Sequence, residues 1–185
     1  MSLLFRILNK PFLYTISVYY MLSTSQEEFS LYPQNNYNYL MDTKSHNNKL
    51  FQKVKELNLP SGEYAITSSG SMGVRNLRKI NDVDIITTKE LWDQLIKKFP
   101  AIKNEFLAKI NLAENIDVLY SGSYYREYEP NDPTVYDQIK NADIIDELPF
   151  IRLETVLYLK KKYTRDKDIK DIELIENYLK ENSIS

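Results

Sequence analysis

Asp82 and Asp84 stand two apart in the run Asp82-Val83-Asp84-Ile85-Ile86-Thr87. In a β-strand that spacing sends both side chains out of one face, about 7 Å apart along the chain. Val83, Ile85 and Ile86 anchor the strand in a core, which holds two like charges rigidly beside one another. Without a cation that arrangement is costly. The pair therefore reads as a ligand set for a hard divalent cation, Mg2+ or Mn2+. Asp117, inside Asn115-Ile116-Asp117-Val118-Leu119-Tyr120, offers a third carboxylate from a neighbouring strand. Three acids allow a two-cation site, with ions about 3.5–4 Å apart, which activates an attacking hydroxyl and neutralises a triphosphate. Upstream, Gly70-Ser71 sits at a strand-to-helix turn, where missing side-chain bulk lets backbone N–H groups approach a phosphate and Ser71 adds a hydroxyl. Arg75, Arg78 and Lys79 follow, so that positive charge can meet the phosphates from the far side of the metals.

Composition removes most rival chemistries. The chain has no cysteine, which excludes thiolate metal sites, disulfides and cysteine nucleophiles and fits a reducing, cytoplasmic compartment. The one histidine, His46, lies in a polar stretch and is read as a solvated loop residue, with no second histidine to build a triad or an imidazole cage. The 4 glycines cannot be arranged into a Walker or GxGxxG phosphate loop. A net charge of −2 lacks the basic excess that non-specific nucleic-acid binding requires.

The elements that must position these residues follow from periodicity. Length and 43 % hydrophobic content over 185 residues suit a single packed domain. Residues 49–185 are taken as that domain, and 1–48 as a poorly structured extension upstream of a start at Met41. Arg6 and Lys10 before the apolar run 12–22 imitate a signal peptide or short anchor, but Pro11 interrupts the run and it falls short of the roughly 20 residues that span a bilayer. No stable membrane partner is expected. Leu50, Phe51, Val54 and Leu57 predict a short helix ending at Pro60-Ser61-Gly62. Strands are predicted at 63–68, 82–87 and 115–120, and a helix around Trp92, Leu95, Ile96 and Phe99 closing at Pro100. Residues 101–113 give no clear pattern, and 124–137 reads as a loop. Helices at 153–163 and 168–180 follow.

Gly70-Ser71, ten intervening residues and then Asp82-Val83-Asp84-Ile85 resemble the Gly-Ser then Asp-x-Asp signature of the DNA polymerase beta nucleotidyltransferase superfamily. The resemblance implies an α/β (α+β) fold, a small mixed sheet flanked by helices. It also implies transfer of a nucleoside monophosphate from a nucleoside triphosphate to an acceptor hydroxyl, with Asp82, Asp84 and Asp117 as catalytic metal ligands. Lys160, then Arg165-Asp166-Lys167-Asp168-Ile169-Lys170-Asp171, is similar to the Lys then Arg-x-Lys-Asp-x-x-Asp pattern of the abortive-infection E toxin-like branch, whose members belong to type IV toxin-antitoxin systems. That layout implies that Gly70 and Ser71, with a basic group among Arg75, Lys160 and Lys167, hold the triphosphate. A cognate antitoxin becomes a candidate partner. The matching parts run from about residue 59 to 180. At Glu147 the chain departs from the glycine expected in close relatives.

Plainer readings stand beside these. A lone Asp-x-Asp on a strand usually means little, and the context of Gly70-Ser71 and Asp117 is what gives it weight. The segment 165–171 can be a helix start with solvated Asp166/Lys170 and Lys167/Asp171 pairs. Tyr124, Tyr125, Tyr128 and Tyr136 can stack a base, though loop tyrosines more often pack. Two rivals remain for function: a non-catalytic binding or regulatory protein on the same fold, and phosphodiester hydrolysis at the same metals. The acceptor, whether RNA, protein or small molecule, is left open.

Overall fold

A computed structural model describes residues 34–103, 108–120, 131–163 and 165–182. The order is helix α1 (Gln34–Glu56), strand β1 (Tyr64–Thr67), helix α2 (Ser69–Gly73), strand β2 (Val83–Thr87), helix α3 (Lys89–Leu95) and strands β3 (Ala101–Lys103), β4 (Ala108–Ala113) and β5 (Ile116–Tyr120). Helix α4 (Val135–Lys140), strands β6 (Asp143–Ile145) and β7 (Leu148–Phe150), helix α5 (Leu153–Tyr163), a 3-10 turn (Asp166–Asp168) and helix α6 (Ile169–Asn182) complete it. The fold is the expected α/β mixture. Its sheet has 7 strands in the order β3-β4-β5-β2-β1-β7-β6. β2 runs parallel to β5 and β1 parallel to β7, while the other neighbours are antiparallel.

Strand alternation divides the core in two. Tyr64, Ile66, Val83, Ile85, Ile116 and Val118 face one side, where Leu50, Phe51 and Val54 of α1 and Leu91, Trp92 and Leu95 of α3 cover them. Ala65, Ile86 and Leu119 face the other, against Met72 of α2, Val135 and Ile139 of α4, Leu153 and Val156 of α5 and Ile175 of α6. Asp84 and Asp117, alternating with the first set, are therefore on the face that carries the C-terminal helices.

Three expectations change. The first helix begins at Gln34 rather than near Lys49, so part of the expected unstructured extension is helical and packed. Its buried stripe is Thr43, Asn47, Leu50, Phe51 and Val54, at helical spacing, but the first two members are polar, which hides the period from an apolar count. Asn47 earns its burial by bonding: its amide donates to the carbonyls of Gly73 (3.1 Å) and Arg78 (3.0 Å), and its oxygen accepts from Ile80 N–H (3.1 Å). His46 is not a solvated loop residue: it is a half-buried member of α1, with Nε2 2.9 Å from the Ile80 carbonyl oxygen. Together these side chains satisfy the backbone that leads into β2.

The second change is that 101–113 contains β3 and β4, joined to β5 by a tight turn in which Asn115 takes φ 64°. The third concerns the end of the expected 124–137 loop, where Thr134 caps α4 through a 3.1 Å bond from Asp137 N–H. Glu147 and Asp146 form the two-residue turn between β6 and β7 with φ 68° and 48°, the left-handed pair such a hairpin demands. Glu147 thus holds a glycine-favouring conformation without being glycine. Residues 1–33 and the tyrosines 124, 125 and 128 lie outside the described residues. Tyr136 is on α4 and donates its hydroxyl to Glu90 (2.7 Å). Among the described residues no helix is long and apolar enough to cross a membrane.

Candidate active site

Strand pairing assembles the acids. In the register of β2 with β5, Asp84 is the direct partner of Asp117, and on its other side Asp84 faces Thr67 at the end of β1. Asp117 in turn faces Asn111 of β4. One row, Thr67-Asp84-Asp117-Asn111, crosses the middle of the sheet, and Asp82 lies just before β2, two residues from Asp84. Asp82 is exposed, and Asp84 and Asp117 are half-buried.

The acids act on one another electrostatically. Burial, then the charges of Asp82 and Asp117, push the Asp84 carboxyl up to about 6, opposed by Lys109 and Lys167. Repulsion between neighbouring carboxylates is what a bound divalent cation would relieve. Asp117 has partners of its own: Lys109 Nζ lies 2.5 Å from Oδ2, and the Asn111 amide donates to Oδ1 at 3.3 Å. The hydrogen bond to Asp117 is also the main reason that Lys109 is held in its charged form. Among the described residues, no three acidic or histidine side chains are gathered tightly enough to hold an ion outright. The donor set is nonetheless all hard oxygen, which suits magnesium or manganese.

The Gly70-Ser71 turn adjoins this row because α2 starts two residues after β1 ends. Ser68, between them, has φ 53°, a left-handed kink that turns the strand into the helix. Gly70 is required by packing: a Cβ there would lie 2.3 Å from Ile66 Cγ2 of β1. Ser71 is fully buried and its hydroxyl donates to the Ile66 carbonyl at 3.3 Å, tying helix to strand.

The basic residues divide. Arg75 reaches toward the opposite sheet edge, donating to Asp143 of β6 at 2.5 Å and to the Ser71 carbonyl at 2.9 Å. Lys160 is buried and bonds Asp168 (2.6 Å) and Asp171 (2.8 Å). Neither is brought to the acids. Lys167 is: it is exposed, sits in the 3-10 turn and exerts its charge on Asp84.

Lys160 is the hub of a buried network. Arg165 grips Asp168 through Nε (2.5 Å), and Arg78, from the segment between α2 and β2, forks onto Asp171 at 2.7 and 3.1 Å. Asp171, which the plainer reading paired with Lys167 at i,i+4, is instead bonded to Lys160 and Arg78. These bonds fix the turn carrying Lys167 against the segment that leads into β2. Lys109 and Asn111 were not found from sequence. Their alternation with Ala108, Ile110 and Leu112 ahead of Glu114-Asn115 is the signal of a strand hairpinned onto the Asp117 strand.

No protein-family model matches the chain, and no curated protein matches it. Among solved structures, the chain is similar to ANT(2")-Ia, in its crystal structure in complex with adenylyl-2"-tobramycin: TM-score 0.45, 15 % identity, 75 % of this chain and 90 % of that one covered.

Proposed function

We propose that this chain is a metal-dependent nucleotidyltransferase, moving a nucleoside monophosphate from a nucleoside triphosphate to an acceptor hydroxyl with release of pyrophosphate. The observation that carries the reading is the pairing of Asp84 with Asp117 across parallel strands, with the charge of Asp82 acting on Asp84 and the Gly70-Ser71 turn at the end of the next strand. A divalent cation, magnesium or manganese, held by Asp82, Asp84 and Asp117 would neutralise the triphosphate and lower the pKa of the acceptor hydroxyl.

The chain's own groups supply the rest. The acceptor oxygen bonds to the α-phosphorus as the bridge to the β-phosphate breaks, and its proton passes to Asp117. Gly70 lets the backbone of the turn approach the phosphates, and Lys167 meets their negative charge from the 3-10 turn. Arg75 and Lys160 contribute by holding α2 and that turn in place.

The Lys160 to Asp171 pattern supports a place in the toxin-like branch, with a cytoplasmic setting and a cognate antitoxin as partner. Incubation with each α-labelled triphosphate, magnesium or manganese, and cell extract tests the activity and sorts the acceptor into RNA, protein or small molecule. The expected result is covalent label in one fraction, absent with Asp84→Asn. Absence of label from every fraction with the wild-type chain overturns the reading in favour of a non-catalytic protein.

A further inference from the structure

Asp117 has a charge partner within the chain. Lys109 Nζ lies 2.5 Å from Oδ2 and Asn111 Nδ2 3.3 Å from Oδ1, so both carboxylate oxygens already have a donor. The two donors come from one strand, β4, at positions two apart and therefore on the face that carries Asp117. The carboxylate side chain is 14 % exposed and the lysine 37 %. A pair so placed is stronger than a surface ion pair, because water screens it less. It also has a route apart, since the lysine's flexible stem reaches solvent. The charge of Lys109 is felt by Asp84 and Asp82 as well. One ammonium is thus bonded to Asp117 and lies within electrostatic reach of the other two acids proposed to share a cation with it.

We infer that Lys109 is a resident counter-ion for the third carboxylate, which a divalent cation must displace from Asp117 before that side chain can serve as a ligand. The inference rests on the proposed metal site and adds a regulatory element to it. While Lys109 holds Asp117, Asp82 and Asp84 form a weaker, two-acid site. When the ammonium swings away, the three-acid site is complete, and the freed positive charge lies beside the bound triphosphate. The negatively charged triphosphate is the group able to draw Lys109 off Asp117, so the site is completed only when substrate is present. Asn111, being neutral, orients Asp117 without competing with the ion.

The test is Mn2+ binding to the full chain without nucleotide, followed by calorimetry or by the resonance signal of free Mn2+. Wild type, Lys109→Met, Lys109→Arg and Asp84→Asn are compared, with unfolding curves confirming that each is folded. The expected result is a Mn2+ affinity about tenfold tighter in Lys109→Met, since removing the competing charge is worth a coupling of ordinary size. Lys109→Arg, which keeps the charge, stays within about twofold of wild type, and Asp84→Asn binds weakly or not at all. Thermal protection by Mn2+ rises in Lys109→Met in step with the affinity. Equal or weaker Mn2+ binding in Lys109→Met, with wild type binding and Asp84→Asn not, overturns the counter-ion role alone. Absence of Mn2+ binding in both wild type and Lys109→Met overturns the metal site with it.

Discussion

Asp84 and Asp117 are direct partners across two parallel strands, so two carboxylates share a sheet row with Asp82 close by. Burial and these neighbours raise the Asp84 carboxyl from an ordinary 3.8 to about 6. Between those values the folded chain binds more protons than the unfolded one. Stability from this group is therefore present below the unfolded value and is lost as pH rises through about 6. Asp84→Asn, assayed with chelator, is expected to be more stable than wild type near pH 8 by roughly 1–2 kcal/mol, discounted for partial solvent access. The gain should vanish near pH 4. Denaturant unfolding at both values checks this, and a gain that is the same at both pH values contradicts it.

Lys160 and Lys167 stand close in sequence and differ in burial, and their substitution should separate stability from binding. Lys160→Met strips a buried cation from Asp168 and Asp171 and is expected to cost about 3–5 kcal/mol of folding stability. Lys167→Ala should change stability by less than about 0.5 kcal/mol. It should weaken triphosphate binding or slow transfer by tens-fold, an effect on the order of 2–3 kcal/mol. The exposed Lys180 serves as control. Unfolding curves and triphosphate affinities for the three variants decide the matter, and identical behaviour of Lys167→Ala and Lys180→Ala would reduce the C-terminal helices to scaffold.

Acid stability has a different origin and the opposite sign. Burial favours the neutral forms of Asp168 and Asp171, but bonds from Arg165 and Lys160 to the first, and from Arg78 and Lys160 to the second, outweigh it and hold both carboxyls below the ordinary range. Their stabilisation is present above the unfolded value of about 4 and is lost as pH falls through the depressed folded values. Circular dichroism on acidification should show a steep loss below about pH 4, with a shallower pH dependence in Asp171→Asn. A wild-type profile parallel to that variant's would remove the network from the account.

Gly70 and Gly73 share one short helix but meet different neighbours. A Cβ on Gly70 would lie 2.3 Å from Ile66 Cγ2, and one on Gly73 3.0 Å from Ile80. Gly70→Ala is expected to cost toward the upper end of the roughly 1–3 kcal/mol typical of overpacking, and Gly73→Ala toward its lower end. Paired chemical denaturation of the two variants measures the difference. Equal costs would mean that the β1 to α2 turn can relax around the added methyl.

The site was legible where chemistry and local pattern coincide. Asp82 and Asp84 alternate with Val83 and Ile85, and Asp117 sits in an equally clear strand, so their common face could be read before any pairing was known. Which lysine reaches them could not. Lys160 and Lys167 differ in burial only because Asp168 and Asp171 turn inward onto Lys160 and Arg78, a long-range arrangement with no local period. Asn47 and Thr43 hid the true start of α1 for a related reason: polar residues that satisfy a neighbouring backbone occupy core positions without adding to an apolar stripe. Lys109 escaped notice because its meeting with Asp117 depends on the turn at Glu114-Asn115 that folds β4 back onto β5.

The central claim is transfer with departure of pyrophosphate, and the most direct measurement counts both products in one reaction. With the labelled triphosphate and acceptor fraction that react, acceptor-bound nucleoside monophosphate and free pyrophosphate should appear in equal amounts. Both should fall below detection in Asp82→Asn and Asp84→Asn, which remain folded. Free nucleoside monophosphate with no labelled acceptor, or full activity in both variants, would contradict the account.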